Sequence, residues 1–355
     1  MDVGRLPRRS LAKEGWTFDV FPEALISPQD TAAFRRSLLR WYGRHGRNLP
    51  WRQTRDPYAI LVSEVMLQQT QVATVIPYYK EWLRRFPDLA ALAAASESSV
   101  LHAWQGLGYY ARARNLRAAA KAVQDRHGGR FPRDPGAMRE LPGVGRYTAN
   151  AVATFAFNRS VPIVEANTAR VLTRLLDFRA PIDSNAGREA LWQRAATLVP
   201  KSSARVYNSA LTDIGALICL PRRPKCGICP VRKFCCAKNP EILPIKKARP
   251  RTKQLSESHA FVVRRGKILL EQSSTRWHGL WMLPRIKSTT GRPIHISIFP
   301  FTNHRITMRI FARSPRKIDN RTQRWFPIAR VGAIPLPSPH RRAIWAIFAT
   351  KGDRV

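Results

Sequence analysis

The sequence predicts a mainly α protein with a small α+β domain at its C-terminal end. Three observations carry this expectation. From about residue 27 to about residue 216 apolar residues recur at a spacing near 3.6, with short loops marked by Pro and Gly. After His259 the pattern changes to short β-branched runs between turn residues. All five cysteines lie between Cys219 and Cys236, where the helical pattern stops.

In chain order, residues 1–26 read as a loosely ordered N-terminal extension. Its basic residues precede no apolar segment of the secretory kind, which argues for the cytoplasm, beside the nucleoid in a bacterium. Ser27-Pro28 is a helix start, Ser as cap and Pro in the first turn, with Phe34, Leu38, Leu39 and Tyr42 following at helical spacing. The helical domain is expected over 27–238, closed by the cysteine segment. Residues 239–257, polar, basic and Pro-containing, read as a linker. Residues 258–355 read as the second domain, with strands at Ala260–Val263, Lys267–Glu271, Ile294–Phe299 and Arg305–Phe311. No apolar run approaches the roughly 20 residues that span a bilayer.

Charge narrows the partner. Lys and Arg number 61 against 23 Asp and Glu, a formal net charge of +38, and residues 241–355 hold 24 of the former against 5 of the latter. Such an excess calls for a polyanion, and duplex nucleic acid releases counterions as its phosphates are neutralised. Composition says nothing about chemistry; particular residues do.

Glu64 is the only acidic or basic residue between Asp56 and Lys80, inside the apolar stretch PYAILVSEVMLQQTQVATVI. A carboxyl buried in such a helix has its pKa raised by desolvation, as a general acid near neutrality requires. The neighbouring Gln68 and Gln69 are neutral hydrogen-bonding side chains suited to base edges, or to the gap a flipped nucleotide leaves. Glu165 is similarly isolated between Arg159 and Arg170, and two such carboxyls can divide acid and charge-stabilising roles, as in glycoside hydrolysis. Asn167, two residues on, is placed to orient the second. In LPGVGRYTAN, Gly143 and Gly145 permit a tight turn and close backbone approach, with a helix start behind them to meet a phosphate. The spacing Cys219-x6-Cys226-x2-Cys229-x5-Cys235 suits four thiolate ligands, for zinc or for a 4Fe–4S cluster, with Cys236 as a rival fourth ligand. Arg222, Arg223 and Lys225 within that loop would face phosphates.

Together these segments resemble the helix–hairpin–helix DNA glycosylase superfamily, and within it the MutY-type adenine DNA glycosylases. The resemblance covers about 31–240 and is carried by LPWRQTRDPYAILVSEVMLQQTQVATVIPYY, WQGLGYYARARNL and the cysteine spacing. It implies a base-excision repair enzyme that binds duplex DNA as a monomer. The enzyme would hydrolyse the N-glycosidic bond of adenine mispaired with 8-oxoguanine or guanine. By resemblance Glu64 protonates adenine at N7, and Glu165, Tyr147 and Asn167 assist the oxocarbenium-like transition state. Arg52 lies at the base pocket, Gln69 and Tyr109 lie at the site of the extruded nucleotide, and the four cysteines hold a 4Fe–4S cluster.

Endonuclease III-like relatives carry a Schiff-base lysine in the LPGVGRKTAN context. Tyr147 stands there in this chain, which implies a monofunctional glycosylase that leaves an abasic site. The family usually has Asp where this chain has Glu165, one methylene longer. The C-terminal part resembles the Nudix-like domain that reads 8-oxoguanine, through RWHGLWMLP, but without the glutamate-rich hydrolase box. Thr302-Asn303-His304 stands where the family commonly has Phe-Ser-His, so Asn303 and His304 are the expected contacts to the oxidised base. The same residues leave open a glycosylase for another lesion, or a mispair-binding protein with impaired catalysis.

Overall fold

The computed structural model describes residues 27–248, 251–287, 290–314 and 319–352; the extension expected over 1–26 lies outside them. Eleven helices fill 28–217: α1 (Pro28–His45), α2 (Pro57–Leu67), α3 (Val72–Arg85), α4 (Leu89–Ala94), α5 (Glu97–Ala103), α6 (Ala111–His127), α7 (Pro135–Arg139), α8 (Arg146–Phe157), α9 (Ala166–Leu175), α10 (Asn185–Leu198) and α11 (Ala204–Leu217). Their starts follow from local chemistry. The Ser27 hydroxyl accepts from the Asp30 amide, and the Asp56 carboxylate accepts from the amides of Tyr58 and Ala59, each meeting an amide that the first turn leaves free.

Helix α2 has no polar face: Tyr58 through Met66 are all buried. It is the central helix of one apolar cluster, with Trp82, Trp104, Leu116 and Val152 around it. A second cluster joins α1 to α9, α10 and α11 through Phe34, Leu38, Leu172, Leu191, Tyr207 and Ile214, and takes in Phe234 of the cysteine segment. Polar side chains gather between the two clusters.

Among its described residues the C-terminal part holds seven strands: β1 (Lys253–Phe261), β2 (Val263–Arg264), β3 (Lys267–Gln272), β4 (Trp281–Met282), β5 (His295–Phe301), β6 (His304–Ala312) and β7 (Gln323–Pro327), followed by α12 (Ser338–Gly352). Strand β6 lies between β1, to which it is parallel, and β5, to which it is antiparallel. Strand β3 lies between β7 and the shorter β2 and β4. The linker expected over 239–257 is shorter than the sequence implied, because β1 already begins at Lys253. Lys253 to Glu257 pair with His304 to Met308 of β6, and the ladder bonds compensate for a segment with no buried apolar face before Ala260. Among the described residues no helix is long and apolar enough to cross a membrane.

Candidate active site

A cavity of about 720 Å³ opens between the two apolar clusters, and its lining includes Arg52, Glu64, Gln68, Gln69, Tyr147, Glu165 and Asn167. Six residues singled out from the sequence for catalysis or base contact, Arg52, Glu64, Gln69, Tyr147, Glu165 and Asn167, thus meet in one place. Glu64 stands on the second-last turn of α2, with only 5 % of its surface exposed. Tyr147, in the first turn of α8, donates its hydroxyl hydrogen to Glu64 Oε2 at 2.7 Å.

Burial pushes the Glu64 carboxyl up to about 7 from 4.5. The Tyr147 hydrogen bond opposes this, the nearby Glu165 adds to it, and Arg52 offsets part. The group can therefore carry a proton at neutrality and release it within the cavity. This state has a cost. Below about pH 4.5 the penalty is absent; it grows as pH rises toward about 7 and amounts to roughly 3 kcal/mol of folding stability beyond that. Burial, Glu64 and Glu165 hold the Tyr147 phenol well above its ordinary value, so it remains a donor.

Glu165 is the cap of α9. Its two carboxyl oxygens accept from the amides of Asn167 (2.8 Å) and Thr168 (3.0 Å), while the Thr168 hydroxyl accepts from the Glu165 amide at 2.8 Å. The longer side chain thus folds back over its own helix start, where the macrodipole favours negative charge. Asn167, expected to orient this carboxyl, meets it through its backbone amide. The Asn167 side-chain oxygen instead accepts from Arg170 Nη2 (2.9 Å), because α9 turns it toward that guanidinium. Gly215 lets α11 pass beneath, since a Cβ there would stand 2.8 Å from Asn167 Cβ.

Arg52 reaches the cavity from the turn Pro50–Arg52, and its position is set by Asp213. Arg52 Nη1 and Nη2 each lie 2.7 Å from a different Asp213 oxygen, and Arg47 bonds the same carboxylate through Nε (2.7 Å) and its backbone amide (2.9 Å). Burial pushes Asp213 up, but the hydrogen bonds and charges of Arg52 and Arg47 outweigh it and hold the carboxyl below its ordinary value. Sequence reasoning missed Asp213, although the signal used for Glu64, a lone carboxylate in an apolar helix (SALTDIGALI), was present there too.

Other expected residues lie elsewhere. Tyr109 is on the loop before α6, 48 % exposed and outside the cavity lining. Gly143 and Gly145 form the turn between α7 and α8. Gly143 has φ +75° and no room for a side chain, a Cβ there falling 2.5 Å from Asn115 Cβ; Gly145 caps α8 in extended conformation. Asn303 and His304 stand at the turn between β5 and β6, Asn303 exposed and its carbonyl accepting from the Lys253 amide.

The sulfurs of Cys219, Cys226, Cys229 and Cys235 share one neighbourhood. Burial pushes the Cys229 thiol up to about 11, opposed by the Val231 amide and reinforced by the other three cysteines. Four cysteine sulfurs gathered on one loop are the donor set that a 4Fe–4S cluster takes. Arg174 Nη1 lies 3.3 Å from Cys219 Sγ and holds the loop by donating to the carbonyls of Leu220 and Pro221. Cys236 is exposed, its sulfur 3.9 Å from the Phe234 carbonyl oxygen. Arg222, Arg223 and Lys225 are exposed on the same loop.

Residues 62–196 match the family model described as HhH-GPD superfamily base excision DNA repair protein, and residues 219–235 match the iron–sulfur binding domain of endonuclease III. The second match ends on Cys235, and the segment is an iron–sulfur loop. An adenine DNA glycosylase of Rattus norvegicus is 45% identical over 215 residues, 58% of this chain and 42% of that protein; the chain likewise spans 40% of the human relative. A thermostable thymine-DNA glycosylase of known structure is 34% identical, with a TM-score of 0.53 over 58% of this chain and 95% of that one. A trapped endonuclease III–DNA covalent intermediate, 24% identical with a TM-score of 0.51 over 58% of this chain and 94% of that one, shares the fold. An adenine DNA glycosylase of Buchnera aphidicola (subsp. Acyrthosiphon pisum) is 32% identical over 261 residues, 72% of this chain and 75% of that protein. The chain belongs to the adenine DNA glycosylase family of helix–hairpin–helix base-excision repair proteins.

Proposed function

We propose that this protein is a monofunctional DNA glycosylase that binds duplex DNA as a monomer and hydrolyses the N-glycosidic bond of adenine opposite 8-oxoguanine or guanine. The observation that carries the reading is the Glu64 carboxyl, buried and held near 7 in a cavity it shares with Glu165. A base flipped out of the stack, at an unpairing cost of a few kcal/mol that is least at a mispair, would enter that cavity. Glu64 then donates its proton to N7 of adenine, making the purine a neutral leaving group. As the bond to the sugar breaks, positive charge develops on the anomeric carbon and ring oxygen, and the Glu165 carboxyl faces it. The emptied Glu64 carboxylate, still bonded to Tyr147, takes a proton from the water that attacks. Among the described residues the cavity lining contains no lysine, so no amine is at hand for a Schiff base, and an abasic site is the product.

The hairpin turn at Gly143 and Gly145 grips the DNA backbone, and Asn303 and His304 of the C-terminal domain, Nudix-like in this reading, contact the opposite base. Cys219, Cys226, Cys229 and Cys235 would hold the 4Fe–4S cluster. When bound, the cluster supplies a covalent staple for the loop that presents Arg222, Arg223 and Lys225 to phosphates.

A second reading, release of thymine from a mispair, is favoured by the 34% identity to the thymine-DNA glycosylase. A panel of duplexes with defined mispairs, each strand labelled in turn and treated with alkali, separates the two. Cleavage at adenine opposite 8-oxoguanine and guanine is expected. Cleavage at thymine opposite guanine would replace the first reading by the second.

A further inference from the structure

Arg112, in the first turn of α6, is 9 % exposed and has no carboxylate partner among the described residues. Its guanidinium is surrounded by carbonyl oxygens. Nη1 donates to Val65 (2.9 Å), Met66 (3.0 Å) and Gln68 (2.6 Å), and Nη2 to Leu107 (2.9 Å) and Gly108 (3.1 Å). Its plane also lies 5.2 Å from the Trp104 ring centroid and 5.7 Å from that of Tyr109. A cation taken from water without a counter-ion is expensive, and burial pushes Arg112 down to about 10. The compensation comes from the C-terminal end of α2, where unpaired carbonyls form the negative pole of the helix.

What those carbonyls belong to gives the site its meaning. One set ends the helix that carries Glu64, and the other closes the loop before α6. Immediately after each set comes a non-glycine residue in the left-handed region: Gln69 (φ +59°) after Gln68, and Tyr109 (φ +47°) after Gly108. Such backbone conformations are strained and persist only when their surroundings over-determine them. Arg112 grips the residue before both.

We propose that Arg112 is a positioning residue for base extrusion, one guanidinium that fixes Gln69 and Tyr109 relative to each other and to the end of the Glu64 helix. The inference rests on the glycosylase reading, since it assigns those two residues to the space vacated by the flipped nucleotide. A brace that merely kept the protein folded would affect every substrate alike. A positioning role affects only substrates whose adenine must be extruded from a stack.

The test compares single-turnover adenine excision from an adenine:8-oxoguanine duplex with excision from an unpaired adenine in a single-stranded bulge. It is run on the parent, Arg112→Met and Arg112→Lys, with far-ultraviolet dichroism and cluster absorbance as checks of folding. For Arg112→Met we expect about a hundredfold loss on the duplex, the scale of a misplacement near 1 Å, and less than fivefold on the bulge. Arg112→Lys, which keeps the charge but reaches fewer carbonyls, falls between. If Arg112→Met does not fold, the duplex-to-bulge ratio of Arg112→Lys decides alone. Equal losses on the two substrates, or none on either, overturn the inference. A parent that excises adenine from neither substrate would overturn the glycosylase reading instead.

Discussion

Glu64→Gln lowers single-turnover adenine excision by about 10²–10⁴-fold and leaves duplex affinity within a few-fold of the parent. The substitution is nearly isosteric, and the Gln oxygen can still accept the Tyr147 hydroxyl hydrogen that Glu64 Oε2 accepts at 2.7 Å. Only the transferable proton is lost. Affinity is expected to stay because the groups proposed to meet phosphates, the hairpin glycines and the exposed Arg222, Arg223 and Lys225, lie outside the cavity. Excision by the variant at the parent rate would remove Glu64 from the chemistry and leave the cavity as a binding site alone.

The second large effect is at the neighbouring carboxyl. Glu165→Gln reduces excision by about 10²-fold, the scale of removing one preorganised electrostatic contact to developing charge. It also costs about 1 kcal/mol of stability, because a cap that accepts from both the Asn167 and Thr168 amides would meet one of them with an NH₂ group. Glu165→Asp behaves differently. Asp keeps the charge and is an effective helix cap, so activity stays within about tenfold of the parent. Rates measured beside thermal melts separate loss of charge from loss of the cap; full activity in Glu165→Gln would show that Glu165 is there for the helix alone.

The contrast between Glu64 and Asp213 shows how far the sequence was readable. Both are lone carboxylates in apolar helices, and the environment of each, hence its burial, is visible in the residues around it. The partner is not. Tyr147 is 83 positions from Glu64, and the Arg52–Asp213 pair spans 161, separations that only the packing of α2 on α8 and of the Pro50–Arg52 turn against α11 brings together. The same limit explains Asn167. Its nearness to Glu165 in sequence was correct as local structure, but which atom faces which depends on the α9 start and on Arg170. Arg112 was one basic residue among 61 Lys and Arg, and nothing local distinguishes a guanidinium that folds inward onto carbonyls from one that faces solvent.

Secondary structure was legible where a period or a cap wrote it. Ser27-Pro28 starts a helix in the sequence as it does in the fold. Strand β1 was read too short because its first five residues are held by hydrogen bonds to β6 and not by apolar alternation. Strands β4 and β7 were missed for related reasons: β4 is only two residues long, and β7 pairs with a strand distant in sequence, Trp325 with Leu269.

The central claim is that Glu64 keeps its proton near neutrality inside the cavity. Its most direct test is titration of that carboxyl in the free protein, by ¹³C chemical shift of labelled glutamate with Glu64→Gln to assign the resonance. A midpoint near 7 is predicted, as burial requires. A midpoint below 5 would mean that the carboxyl is ionised and solvated at working pH, with no proton to give to the base.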